Sequence, residues 1–175
     1  MINFTYIKYG IFISMVGILF GGFMGLSFGC CEEDIKRFLN EEAESVSQEK
    51  YGGIQAKKDK VVKKAWVYMK RAHLHSQTMG VIAIAFSLLV AGLNFHPKIQ
   101  LGVSILSGLG SLGYGVFWLL AASLAPGMGG TSAAKESVGL VAQFSGASFF
   151  FSGVAVFAVL TYKMFVKPQK ETIET

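Results

Sequence analysis

Two histidines, His73 and His75, stand in a basic, aromatic run that leads straight into an apolar stretch. Carboxylates follow the first apolar block at Glu32 and Glu33, and Glu136 precedes the last one. If the apolar blocks cross a membrane, alternate connections emerge on the same side, so these residues share one rim. Imidazoles and carboxylates are ligands for transition-metal ions and partners in proton transfer. The pattern therefore predicts a metal or proton-handling site at this rim, with the histidines as ligands and the carboxylates as further ligands or proton partners.

The two histidines cannot both face the same neighbour. Residues two apart on a helix point about 200° apart. His73 shares its face with Met69 and Gln77, whereas His75 shares its face with Arg71. Because an arginine at a membrane edge extends its charge toward the headgroups, we expect His73 to face inward and His75 to face the headgroups or an oligomer partner.

Haem b is the cofactor to test first at this position. Four-helix membrane bundles hold such a haem with imidazoles from facing helices. Here the third histidine, His96, lies about 23 residues after His73, roughly 35 Å along a helix at 1.5 Å per residue. A bis-histidine haem within one chain is therefore not expected. Ligation by one histidine, by His73 with a methionine such as Met69, or by two chains stays open, as does a transition-metal ion; Gln77 completes the binding face.

One segment also carries a resemblance. Arg71-Ala72-His73-Leu74-His75, followed by Met-Gly-Val-Ile-Ala-Ile-Ala-Phe at 79–86, resembles the start of the second helix of haem–copper oxidase subunit I. It is similar, too, to small bacterial four-helix proteins with a His-x-His at this position. The resemblance covers about 16 residues and implies that His73 ligates a low-spin haem. The oxidase's partner histidine comes from a distant helix without a counterpart here, and the copper-site histidines are lacking.

Composition places these residues in a membrane protein. Hydrophobic residues make up 52% of the chain and charged residues only 15%. Four blocks without charge span roughly 9–29, 76–95, 99–134 and 137–162, and each is long enough for a bilayer crossing of about 20 residues. The third block ends in a Pro- and Gly-rich turn at 125–131. The sequence thus predicts an all-α integral membrane four-helix bundle.

We expect a single transmembrane domain, residues 1–175. The predicted segments are helices at about 7–29, 57–94, 99–124 and 137–163, a polar loop at 31–56 that begins with a short amphipathic helix, and a frayed tail at 168–175. Glycines recur every fourth residue from Gly17 to Gly29, which predicts close helix packing or association of copies. Pro97 ends the second helix and makes helices two and three antiparallel neighbours.

Charge predicts orientation and partners. The loop 1–2 and loop 3–4 side carries eleven Lys and Arg residues and the other side five, which places loop 1–2 in the cytoplasm of a bacterial inner membrane. The basic run predicts contact with anionic lipids, and nucleic acid is not expected. If haem is bound, the protein transfers electrons, with a quinone or another membrane complex as partner. The alternative is a non-catalytic structural subunit that packs against its own copies or other membrane subunits through glycine stripes.

Overall fold

A computed structural model describes residues 3–166, and its regular structure is entirely helical. The elements are α1 (Lys8–Ser45), α2 (Ser47–Tyr51), α3 (Gln55–Gly92), α4 (Pro97–Leu124), α5 (Thr131–Ser137) and α6 (Gly139–Thr161), which a π-helical turn (Tyr162–Val166) extends. Helices α1, α3, α4 and the extended α6 are long and apolar enough to cross a membrane. The predicted all-α chain with four helices of this kind is confirmed, and the expected frayed tail at 168–175 lies outside the described residues.

The breaks between the long helices lie where proline and glycine predict them. Helix α4 begins at Pro97, and the His96 side chain accepts a hydrogen bond from the backbone N–H of Lys98. After α4 the chain turns through Gly129, whose φ of 74° is a left-handed conformation that glycine adopts without strain. The α3–α4 connection is short, and Gly110 lies beside Phe149 while Gly113 lies beside Ser145, so α3, α4 and α6 run alternately up and down.

The expected polar loop at 31–56 is instead mostly helical, and the prediction is wrong there. Cys31 leaves helical geometry (φ −134°, ψ 25°) and kinks α1, but the helix continues to Ser45. Apolar residues recur every fourth position at Ile35, Leu39 and Ala43, and the last two are buried. This stripe packs on α3 and holds the segment helical, while the charged residues between face outward.

Helices α3 and α4 form the centre of the bundle. Helix α1 packs against both, and α6 packs mainly against α4. Small residues lie at these contacts: a Cβ added to Gly21 would lie 2.9 Å from the His73 carbonyl oxygen, and one on Gly110 would lie 2.8 Å from the backbone nitrogen of Phe149. The backbones of α1 and α3, and of α4 and α6, therefore approach each other closely.

The polar parts of the chain form a packed body, which we call the head: residues 32–72 together with α5. Its buried side chains belong to one cluster with the end of α4. That cluster includes Leu39, Ala43, Tyr51, Val62, Ala65, Tyr68 and Ala134 from the head and Ala121, Ala122 and Ala125 from α4 and the turn after it. The head therefore shares a core with the adjoining ends of the long apolar helices, while Val90, Val103 and Val156 form a separate cluster farther along those helices.

Candidate functional site

His73 is held against α1. Its Nδ1 lies 2.7 Å from the carbonyl oxygen of Gly21. Since a carbonyl only accepts, Nδ1 carries the proton in this contact, and a neutral ring then has its lone pair on Nε2. The ring occupies the space left by Gly25, where an added Cβ would lie 2.7 Å from Cε1, and it meets Phe28 edge-on at 5.8 Å. His73 thus faces the bundle with a defined ring orientation.

Met69 and Gln77 lie one turn to either side of His73. Met69 is buried, and Gln77 packs beside Gly21, where an added Cβ would lie 2.7 Å from its Cγ. All three side chains therefore lie along the side of α3 that faces α1. Their role as ligands of haem or a metal ion stays a prediction.

His75 points to a different helix. Its ring meets Tyr114 edge-on at 5.2 Å and stacks on Trp118 at 6.1 Å, both on α4. The Arg71 guanidinium lies 4.9 Å from the centre of the same Trp118 ring. This differs from the expectation that His75 faces the headgroups or an oligomer partner, because α3 packs against both α1 and α4, so the face of His75 also meets protein within the chain. The two histidines therefore diverge.

The predicted carboxylate ligands are placed apart. Glu32 and Glu33 both pair with Lys36, at 2.7 and 3.1 Å, and hydrogen bonding to Glu32 is the main cause that raises the pKa of Lys36. Glu136 lines a cavity of about 460 Å³ between α4, α5 and α6, together with Gln143. Within residues 3–166, no three His, Cys, Asp or Glu side chains are grouped to hold a metal ion. The metal-ligand set remains a prediction.

An apolar groove of about 420 Å³ lies at the kink of α1. Its lining consists of Phe20, Phe23, Met24, Ser27, Phe28, Asp34, Ile35, Phe38, Met69 and Leu119. Asp34 is the one charged group among them, and it pairs with Arg37 at 2.5 Å. Phe28 and Met69 link the groove to the face of His73. Sequence reasoning missed the groove because it placed Ile35 and Phe38 on a separate interfacial helix.

The head carries opposite charges on its two long helical segments. The α1 arm (residues 32–45) has six acidic and two basic residues, and the α3 arm (residues 55–72) has seven basic and one acidic. Lys58, which is buried, pairs with Glu44, and in the described part of the chain this is the one ion pair between the arms. The remaining basic side chains of the α3 arm are exposed: Lys57, Lys60, Lys63, Lys64, Lys70 and Arg71.

Protein-family models, curated proteins and solved structures yield no match to this chain. Its function is therefore inferred from its own geometry. Three features of the chain could serve a function: the oriented imidazole of His73, the apolar groove beside it, and the charged head.

Proposed function

We propose that this chain is an integral membrane protein that serves as an accessory subunit of a larger membrane complex. The observation that carries the proposal is the head, in which α1 and α3 continue past their apolar parts. Helices this polar are marginal in water unless they pack, and here they share a core with the spans. The head is thus a preorganised charged surface at a fixed height above the bilayer, suited to docking.

Two features support the membrane location and orientation. About 20 residues, from Leu74 in α3 to its C-cap Leu93, suffice to cross a hydrocarbon core of about 30 Å. The head side carries eleven of the Lys and Arg residues and the other side five, which favours a cytoplasmic head in a bacterial inner membrane.

The contact with the complex lies on α6. This helix packs on the rest of the chain through small and β-branched residues such as Ser148 and Val156. Its opposite face exposes Phe150 and Phe157, with 65% and 72% of their surfaces free. Aromatic side chains are enriched at protein interfaces, and α6 is the span with the smallest share of buried residues.

Extraction of the tagged chain from its native membrane in mild detergent, followed by native mass spectrometry, tests the proposal. We expect a complex with at least one other membrane protein at fixed stoichiometry. Phe150→Ala with Phe157→Ala should release that partner. Phe12→Ala with Leu19→Ala is the matched control, since it removes equally exposed apolar groups from α1. Recovery of only this chain and lipid under all extraction conditions would contradict the accessory role.

A second candidate function is electron transfer through haem b or a transition-metal ion bound at His73. The observation that favours it is the Nδ1 contact with the Gly21 carbonyl at 2.7 Å. Such a contact fixes the tautomer that metal-bound histidines use and orients Nε2. A bound haem would supply one-electron redox chemistry. The adjacent apolar groove would hold the ring or tail of a quinone against Phe28.

Visible spectra of the purified protein, oxidised and dithionite-reduced, with metal analysis on the same sample, test this second function. A Soret band with an α-band that sharpens on reduction would establish haem, and stoichiometric metal without these bands would establish an ion site. His73→Ala should remove the signal, whereas His96→Ala, in the opposite turn, should leave it intact. A flat spectrum with no metal in protein extracted directly from its membrane would contradict the redox role.

A further inference from the structure

The two arms of the head present their opposite charges outward instead of to each other. On the α3 arm, the six exposed basic residues fall within about 140° of the helix circumference at 100° per residue. Buried residues such as Val62 and Ala65 lie on the other side. On the α1 arm, Glu33 and Glu41 point away from the buried Leu39, and their side chains are 87% and 70% exposed. Glu33 pairs with Lys36 and Glu41 lies 3.8 Å from Arg37, but six acidic residues against two basic ones leave the α1 arm with a net negative charge, as the α3 arm keeps a net positive one.

The charges on the two arms lie at matching heights above the membrane. The arms run antiparallel, and the Lys58–Glu44 pair and the Lys36 ammonium over the Trp66 ring fix which residues are level. In that register, a residue of the α1 arm and a residue of the α3 arm lie at the same height when their residue numbers add to about 102, as those of Glu44 and Lys58 do. Glu41 is therefore level with Lys60, and Glu33 is level with Lys70.

We propose that copies of this chain in one membrane associate through their heads, with the basic α3 arm of one copy against the acidic α1 arm of the next. Copies inserted in the same bilayer share orientation and depth. Acidic and basic residues that are level within one chain are thus also level between neighbouring chains. The contact joins unlike surfaces, so it builds a ring if the rotation between copies closes. The inference rests on the membrane location under the proposed function, but not on a second protein.

The basic face of the α3 arm extends too far above the membrane for a lipid surface to contact all of it. Lys57 lies 16 residues before His73, about 24 Å along the helix axis. The headgroup layer extends only about 5–7 Å beyond the hydrocarbon, and charge is screened within about 8 Å at physiological salt. Lipid phosphates therefore reach Lys70 and Arg71 but not the distal lysines, which need a protein surface that stands equally high.

The experiment uses two charge-reversed forms of the full chain in liposomes of zwitterionic lipid. One form carries Lys60→Glu and Lys70→Glu, the other Glu33→Lys and Glu41→Lys. Cys31→Ser leaves the exposed Cys30 as the single labelling site, and energy transfer between donor- and acceptor-labelled copies reports association. Circular dichroism and vesicle flotation confirm that each form is folded and inserted. Lys98→Glu, in the opposite turn, is the control.

We expect wild-type copies to associate, and each reversed form alone to lose affinity by about tenfold or more, since like charges then meet. Mixing the two forms should restore association, because Lys60→Glu and Lys70→Glu in one form then lie level with Glu41→Lys and Glu33→Lys in the other, and opposite charges meet again at these positions. A monomeric wild type, reversed forms that associate normally, or a mixture that stays dissociated would each overturn the inference. A homo-oligomer extracted without other proteins would contradict the accessory role while leaving this inference standing.

Discussion

Tyr51 connects the head to the turn after α4 through a buried hydrogen bond. Its hydroxyl donates to the carbonyl oxygen of Pro126 at 2.6 Å, and only 2% of the residue is exposed. The bond joins α2 to the turn after α4, two segments 75 residues apart in sequence. This side chain thus holds α2 of the head against the end of α4.

Removing this hydroxyl should loosen the head. Tyr51→Phe leaves the ring in place but deprives a buried carbonyl of its partner, which costs about 1–3 kcal/mol. Chemical denaturation in detergent measures the loss in unfolding free energy. Limited proteolysis of the α1–α3 connection measures the loosening of the head. Tyr6→Phe is the control because Tyr6 is exposed. Equal stability of the two variants would show that the Tyr51 bond contributes nothing net.

The same residue predicts how stability depends on alkaline pH. Burial raises the pKa of the Tyr51 phenol, because a phenolate there would lose its hydration. The folded-state pKa then exceeds the unfolded value of about 10. The stability that the neutral Tyr51 phenol contributes to the fold is fully present below pH 10 and is lost as pH rises through the folded-state pKa. Denaturation midpoints from pH 8 to 11.5 should fall more steeply for wild type than for Tyr51→Phe; parallel curves would contradict this.

At the scale of helices, the α4–α6 contact needs glycine at Gly110, where α6 backbone lies closest, and Gly113 meets the Ser145 side chain of the same helix. A Cβ on Gly110 would lie 2.8 Å from the nitrogen of Phe149 and 2.8 Å from the carbonyl oxygen of Ser145. Both atoms belong to the α6 backbone, so neither can move without moving the helix. Gly102 lies on the same helix α4 and has open space where its Cβ would be.

Gly110→Ala should therefore separate α6 from α4, with a loss of about 1–3 kcal/mol in unfolding free energy from overpacking. Gly102→Ala should be neutral or slightly stabilising, since alanine favours a helix over glycine. Unfolding followed by circular dichroism in detergent compares the two. If both variants behave alike, the close α4–α6 approach is absent in the protein.

The sequence is sufficient to predict the long helices and the inward direction of His73, but not where α1 ends or that His75 also meets protein. Uncharged blocks mark the spans directly, and Pro97 marks a break. The segment after Cys31 is polar enough to be taken for a loop, because its apolar stripe consists of only Ile35, Leu39 and Ala43. Helix spacing separates His73 from His75, but only the central place of α3 decides that both meet protein.

If the chain crosses a membrane as proposed, the main question for the molecule as a whole is on which side of the membrane the head lies. The lysine and arginine count favours the cytoplasm, yet the head also carries most of the chain's acidic residues. Acidic residues contribute little to orientation. The charged arms of the head pack against the adjoining ends of the long helices. The head therefore stays on whichever side of the membrane the inserted helices place it.

Labelling of single cysteines tests this orientation. In Cys31→Ser, the exposed Cys30 at the base of the head should react with a membrane-impermeant maleimide in inside-out vesicles and stay unmodified in right-side-out vesicles. Lys98→Cys, made with both native cysteines replaced by serine, should show the reverse, because the α3–α4 turn lies at the other end of the spans. Labelling of Cys30 from outside would place the head outside the cytoplasm, so its docking partners would have to lie there.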